Sequence, residues 1–160
     1  MDRPKLKLCV FGAFNAGKST FIQSLDPATR HIEANCTGGT TTVALDFGRV
    51  EISDRMVYLF GTPGQERFEF VRQILSRGMD GAIIIVDSTA GPDEITADLS
   101  VWLNRLGVPV VFMLNKCDMP DSTPSRFAPL VGDASVHLIS AKNGENVREA
   151  LSAFVDTIAG

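Results

Sequence analysis

The sequence predicts an α/β fold: a six-stranded, mostly parallel sheet with one antiparallel strand and helices on both faces. Two observations carry the prediction. Continuous apolar runs, LKLCVF (Leu6 to Phe11), AIIIV (Ala82 to Val86) and VVFML (Val110 to Leu114), read as strands covered on both sides. Between and after them, apolar residues recur at helical spacing, at Ile95, Leu99, Trp102, Leu103 and Leu106 and again at Val147, Ala150, Leu151, Phe154 and Ile158. Alternation of this kind builds right-handed β-α-β units around a parallel sheet.

The first strand, LKLCVF, runs into a glycine-rich loop and then a helix. DPATRHIEANCTGGTTT (Asp26 to Thr42) follows and shows no periodicity; a loop this long inside a compact domain is usually functional or disordered. TVALDFGRVEISDRMVYLF (Thr42 to Phe60) reads as two strands joined at Ser53-Asp54-Arg55, a hairpin that adds the antiparallel strand. AIIIV is the fourth strand, with a helix from Ile95 to Leu106 behind it and Trp102 in the core. VVFML is the fifth strand, and VHLI (Val136 to Ile139) is read as a shorter sixth of the same buried kind. The closing helix carries Val147 to Ile158.

Composition narrows the function. A chain of 160 residues fits one domain, 1–160, with no linker or repeat, and its 21% charged and 44% hydrophobic residues are ordinary for a globular protein. A formal net charge of −4 and no stretch dense in Lys and Arg argue against a nucleic-acid partner. Cys9, Cys36 and Cys117 show no metal-ligand spacing, and their odd number argues against a disulfide framework, so a reduced, cytoplasmic setting is expected. The first residues lead at once into a strand, without a signal-peptide pattern. No apolar run approaches the roughly 20 residues of a membrane span. Asp2 and the tail FVDTIAG carry no lipidation motif, so membrane attachment would come through a partner.

Gly12-Ala-Phe-Asn-Ala-Gly17-Lys18-Ser19 matches G-x-x-x-x-G-K-[ST] between a strand and a helix. Such a P-loop lets backbone N–H groups, here from Asn15, Ala16, Gly17, Lys18, Ser19 and Thr20, close around phosphates at a helix N-terminus. Lys18 is expected at the β and γ phosphates and Ser19 on Mg²⁺. LNKCD (Leu114 to Asp118) ends the fifth strand, where ligands bind in open α/β sheets. The carboxylate of Asp118 can accept from guanine N1–H and its 2-amino group; against adenine it would stay unpaired, which discriminates strongly. Ser140-Ala141-Lys142 follows the sixth strand at the same edge, within reach of the base oxygen.

With these motifs in this order, the chain resembles the Ras-like small GTPases nearly end to end. TTVALDFG is similar to the first switch and its strand, LFGTPGQERF (Leu59 to Phe68) to the second, and VDST at Asp87 to the Arf and Rab pattern. Among subfamilies it most resembles the prokaryotic Ras-like group, related to the gliding-motility polarity switch and the signal-recognition-particle receptor β subunit. The resemblance implies a switch that binds Mg-GTP and slowly hydrolyses it to GDP, with segments 26–42 and 61–72 changing conformation. Thr42 would cap the γ-phosphate and Mg²⁺, with Thr40 or Thr41 as alternatives in an ambiguous run. Gly64 would donate its N–H to the γ-phosphate and Gln65 would orient the attacking water. Asn115, Lys116 and Asp118 would hold the base, supported by Ser140, Ala141 and Lys142. Activating and exchange proteins are implied as partners, roadblock-type by analogy.

Three departures bear on mechanism. Gly61 stands where the family usually has an aspartate that steadies a Mg²⁺ water; Asp46 or Asp87 are the candidates to compensate. Phe14 is bulky where many relatives have glycine facing the γ-phosphate. Asn15 makes the loop similar to the Era-type form, in which an asparagine helps place K⁺ against the phosphates. Gly61 and Phe14 motivate an alternative, a nucleotide-binding scaffold with little or no hydrolysis, which Gln65 opposes.

Overall fold

The computed structural model describes residues 4–12, 15–35, 42–61 and 78–159. Among them, one sheet contains β1 (Lys5–Gly12), β2 (Arg30–Asn35), β3 (Thr42–Ile52), β4 (Arg55–Gly61), β5 (Gly81–Asp87), β6 (Val110–Asn115) and β7 (Ser135–Leu138). Their order across the sheet is β2-β3-β4-β1-β5-β6-β7. β1 pairs in parallel with β4 and β5, β5 with β6, and β6 with β7, while β3 alone runs against both its neighbours. The α-helices among the described residues are α1 (Lys18–Leu25), α2 (Glu94–Leu106), α3 (Ala128–Val131) and α4 (Val147–Ala159). None of the described helices is long and apolar enough to cross a membrane.

The continuous apolar strands follow from cores on both faces. Along β5, Ile83 and Ile85 join Leu8, Val10, Phe21, Ile22, Leu151 and Phe154 on the α1 and α4 side. Ala82, Ile84 and Val86 alternate with them onto the α2 side, against Cys9, Phe11, Leu99, Leu103 and Phe112. A strand with period-two side chains and two buried faces has no polar position to offer. Asp93 caps α2 by accepting from the Thr96 N–H at 2.6 Å, and Gly107, at φ 74°, ends it.

The fold class is as expected, including the single reversed strand, and two details differ. The expected sheet of six strands has seven, because Arg30–Asn35, read as part of an aperiodic loop, pairs with β3 from Asn35 opposite Thr42 to Arg30 opposite Phe47. Its short alternation of Ile32 and Ala34 with polar neighbours is too brief to read alone; the exposed backbone of β3 makes it a strand. VHLI is not buried throughout: Val136 and Leu138 are 44% and 49% exposed, because β7 is the sheet edge and the helix before it has only four residues. In α2, Leu106 is likewise exposed at the last turn, while Trp102 packs half-buried against the core as expected. The hairpin turn is Ser53-Asp54, at φ 51° and 63°, with Arg55 already paired to Ile52. Two left-handed residues in a two-residue loop match the twist of the flanking strands.

Candidate nucleotide-binding site

β1 lies between β4, reached from one side of the sheet, and β5, from which the chain continues to the other edge. This is the topological switch point, where open α/β sheets bind ligands beyond their strand ends. The loops that follow β1, β5, β6 and β7 meet there, and one buried side chain ties three of them together.

Asn115, 3% exposed at the end of β6, donates from Nδ2 to the Ala16 carbonyl at 2.8 Å and accepts at Oδ1 from the Ala141 N–H at 2.9 Å. One carboxamide therefore clamps the P-loop to the loop after β7. Its partners fix which end is nitrogen, since one is a carbonyl and the other an N–H. Gly17 is shaped by the same contact. It has φ 100°, which favours glycine, and a Cβ there would overlap Asn115 Nδ2. Gly17 is also the N-cap of α1 and brings no side chain to cap the first N–H groups of that helix.

The remaining contacts brace this arrangement. Lys116, left-handed at φ 65°, donates from Nζ to the Asn15 carbonyl at 2.9 Å and to Asp87 Oδ2 at 2.8 Å. Burial pushes the Asp87 carboxyl up, but the Lys116 ammonium and the Thr89 hydroxyl and N–H outweigh it and hold it below the usual range. Ser88, fully buried, donates from Oγ to the Asn115 carbonyl at 2.5 Å and contacts Ser122 Oγ at 2.7 Å. No sequence signal marks Asp87 or Ser88 as positioning the base-binding segment; the pairing of β5 with β6 brings Asp87 opposite Asn115. Ser140, buried, exchanges two backbone bonds with Glu145 at 3.1 and 3.0 Å, closing the turn that presents Ala141 and Lys142.

Lys18, 7% exposed, donates from Nζ to the Gly12 carbonyl at 2.7 Å, folding its ammonium over the loop it follows. Ser19 and Thr20 are exposed in the first turn of α1, with Asn15 exposed just before it. Ser19 Oγ donates to Asp46 Oδ2, on β3, at 2.6 Å. A hydroxyl beside a carboxylate is a hard oxygen pair that fits a small divalent cation. Asp118 is exposed at the carboxyl edge after β6, and Lys142 is exposed at the same edge. Thr42 opens β3 opposite Asn35, in a backbone pairing. Phe14, Thr40, Thr41, Gly64 and Gln65 lie outside the described residues, as do residues 62–72 of the second switch segment. The structure thus brings Asn15, Ala16, Gly17, Lys18, Ser19, Asn115, Lys116, Ser140 and Ala141 into one constellation.

Residues 3–159 match the family model described as Elongation factor Tu GTP binding domain. The chain is 31% identical over 121 residues to an uncharacterized protein, MJ1339, of Methanocaldococcus jannaschii, a match covering 76% of each. It is 30% identical over 166 residues to the GTPase Era of Rickettsia bellii, covering 91% of this chain but 53% of Era. Among solved structures, the G domain of the T. maritima FeoB iron transporter superposes with a TM-score of 0.71 at 22% identity, covering 98% of this chain and 99% of that one. The last likeness is one of fold.

Proposed function

The chain belongs to the elongation factor Tu GTP-binding domain family, and from that premise we propose that it is a guanine-nucleotide switch that binds Mg-GTP and slowly hydrolyses it to GDP. The observation that carries the proposal is the Asn115 clamp, which makes the phosphate loop and the base-side loop one site. Phosphates lie against the N–H groups of Asn15 to Thr20, with Lys18 swinging from the Gly12 carbonyl to the β and γ oxygens. The base lies between Lys116 and Ala141-Lys142, with Asp118 accepting from guanine. Ser19 and Thr42 hold Mg²⁺, which neutralises charge on the phosphate oxygens when bound. Gln65 orients a water in line with the γ-phosphorus; the bond to the β–γ bridging oxygen breaks, giving GDP and phosphate. Gly64 donates its N–H to the γ-phosphate, so loss of that group releases segments 26–42 and 61–72.

No strong general base is among these groups, so turnover is slow without an activating partner, and exchange proteins complete the cycle. We place the chain as a single G domain, 1–160, in the cytoplasm, in the prokaryotic Ras-like group with roadblock-type partners. It binds no nucleic acid and does not insert directly into a membrane.

Calorimetric titration with GTP and with ATP, each with Mg²⁺, tests the specificity. The expected result is binding of GTP in clear preference to ATP, because Asp118 accepts from guanine N1–H and its 2-amino group and finds no such donors on adenine. Equal heats for both purines, or none, would overturn the proposal. GDP formation over time then separates switch from scaffold. GTP held without turnover above background favours the scaffold reading that Gly61 and Phe14 motivate, and slow GDP formation favours the switch. The same assay in KCl and NaCl addresses Asn15: a potassium advantage lost in Asn15→Ala assigns it to a monovalent cation, and equal rates make it a brace for the loop.

A further inference from the structure

We propose that the carboxylate absent at Gly61 has moved across the hairpin to Asp46, which orients Ser19 and the Mg²⁺ hydration shell from β3 instead of β4. The inference rests on the Mg-GTP reading above and names a metal-site residue in addition to Ser19 and Thr42.

Register supplies the first argument. Asp46 and Gly61 are directly opposite in the antiparallel β3–β4 ladder. Opposed residues project from the same face with Cβ atoms about 4.5–5.5 Å apart. A carboxylate transferred from position 61 to position 46 therefore stays on the same face, displaced by one strand spacing. Aspartate is long enough to reach back, and Asp46 Oδ2 is 2.6 Å from Ser19 Oγ. Because the hydroxyl donates its hydrogen to Asp46, its lone pairs are left for a cation. That is how an outer carboxylate orients a metal ligand.

Exclusion supplies the second argument. A Cβ at Gly61 would stand 3.2 Å from Asp46 Cβ and 2.8 Å from Ile22 Cδ1. The first distance is far inside the ordinary spacing of a cross-strand pair. A side chain at 61 would require Asp46 and the end of Ile22 to shift, so glycine at 61 leaves room for aspartate at 46. Among the described residues, Asp87 and Asp26 are engaged by other groups. Asp87 accepts from Lys116 Nζ at 2.8 Å and from the Thr89 N–H and hydroxyl at 2.9 and 2.5 Å. Asp26 accepts from the Arg49 and Ala28 N–H groups at 2.9 and 3.0 Å.

The test measures release of a fluorescent GDP, N-methylanthraniloyl-GDP, as free Mg²⁺ is titrated, and reads the Mg²⁺ concentration that half-protects the complex. Asp46→Asn is expected to raise that midpoint about 10- to 100-fold, the usual effect of losing an orienting partner of a metal ligand. The reciprocal Asp46→Gly/Gly61→Asp variant restores the carboxylate to β4 and is expected to return the midpoint most of the way to wild type. An Asp46→Asn midpoint within about twofold of wild type, below that range, overturns the assignment. So does a folded reciprocal variant whose midpoint stays tenfold or more too high, and this arm decides alone where Asp46→Asn does not fold. A wild-type protein that retains no GDP at any Mg²⁺ concentration refutes the nucleotide-switch reading instead, which keeps the two failures apart.

Discussion

Replacing Asn115 by aspartate alters one atom at the junction of the three loops. The carboxylate keeps an acceptor for the Ala141 N–H, which Oδ1 now meets at 2.9 Å. It loses the Nδ2 donor and sets an oxygen against the Ala16 carbonyl, 2.8 Å away. A buried acceptor left unpaired costs about 1–3 kcal/mol. Burying a charge where Asn115 is 3% exposed adds to that. The expected loss is about 2–4 kcal/mol at pH 7, or about 1–2 M in the urea midpoint for a slope of about 2 kcal/mol/M. The loss should shrink as pH falls, because a protonated carboxyl regains an O–H to donate to Ala16. Equilibrium urea unfolding at several pH values measures both effects. A variant within about 0.5 kcal/mol of wild type at neutral pH would show that the clamp does not carry the load argued for it.

Gly17→Ala should expel the Asn115 carboxamide and strain a left-handed backbone, costing about 1–3 kcal/mol in urea unfolding and weakening GDP binding in titration. Burial pushes the Cys9 thiol up to about 12 from 9.0, with Lys7 pulling weakly the other way. The unfolded thiol then ionises first, so Cys9 contributes a loss of stability as pH climbs from 9.0 toward 12, and none below 9.0. A thiol-exchange reagent near neutral pH should modify Cys9 only as fast as the protein unfolds. Asp87→Asn should loosen Lys116 and weaken guanine nucleotide binding, measured by titration. Because the Asp87 carboxyl sits below its ordinary 3.8, its contribution is present above that pH and disappears as pH falls further. The stability gap between wild type and Asp87→Asn should therefore be steady at neutral pH and close only in acid.

The sequence alone determined whatever depends on neighbours along the chain. The phosphate loop was legible because Gly12, Gly17 and Lys18 stand at fixed spacing within seven consecutive residues, and the strand and helix beside it have strong periods. Ser53-Asp54 was legible as a turn for the same reason. Tertiary structure decided what depends on register between distant segments. Arg30–Asn35 becomes a strand because β3 lies beside it, and Val136 and Leu138 are exposed because β7 ends the sheet and only a four-residue helix precedes it. In the sequence Asp46 and Asp87 are equal candidates; the β3–β4 pairing sets Asp46 opposite Gly61, while the β5–β6 pairing sets Asp87 opposite Asn115, within reach of Lys116. A side chain's type is written in one position, but the atoms it can reach are fixed by hydrogen-bonded strands that fold from far apart.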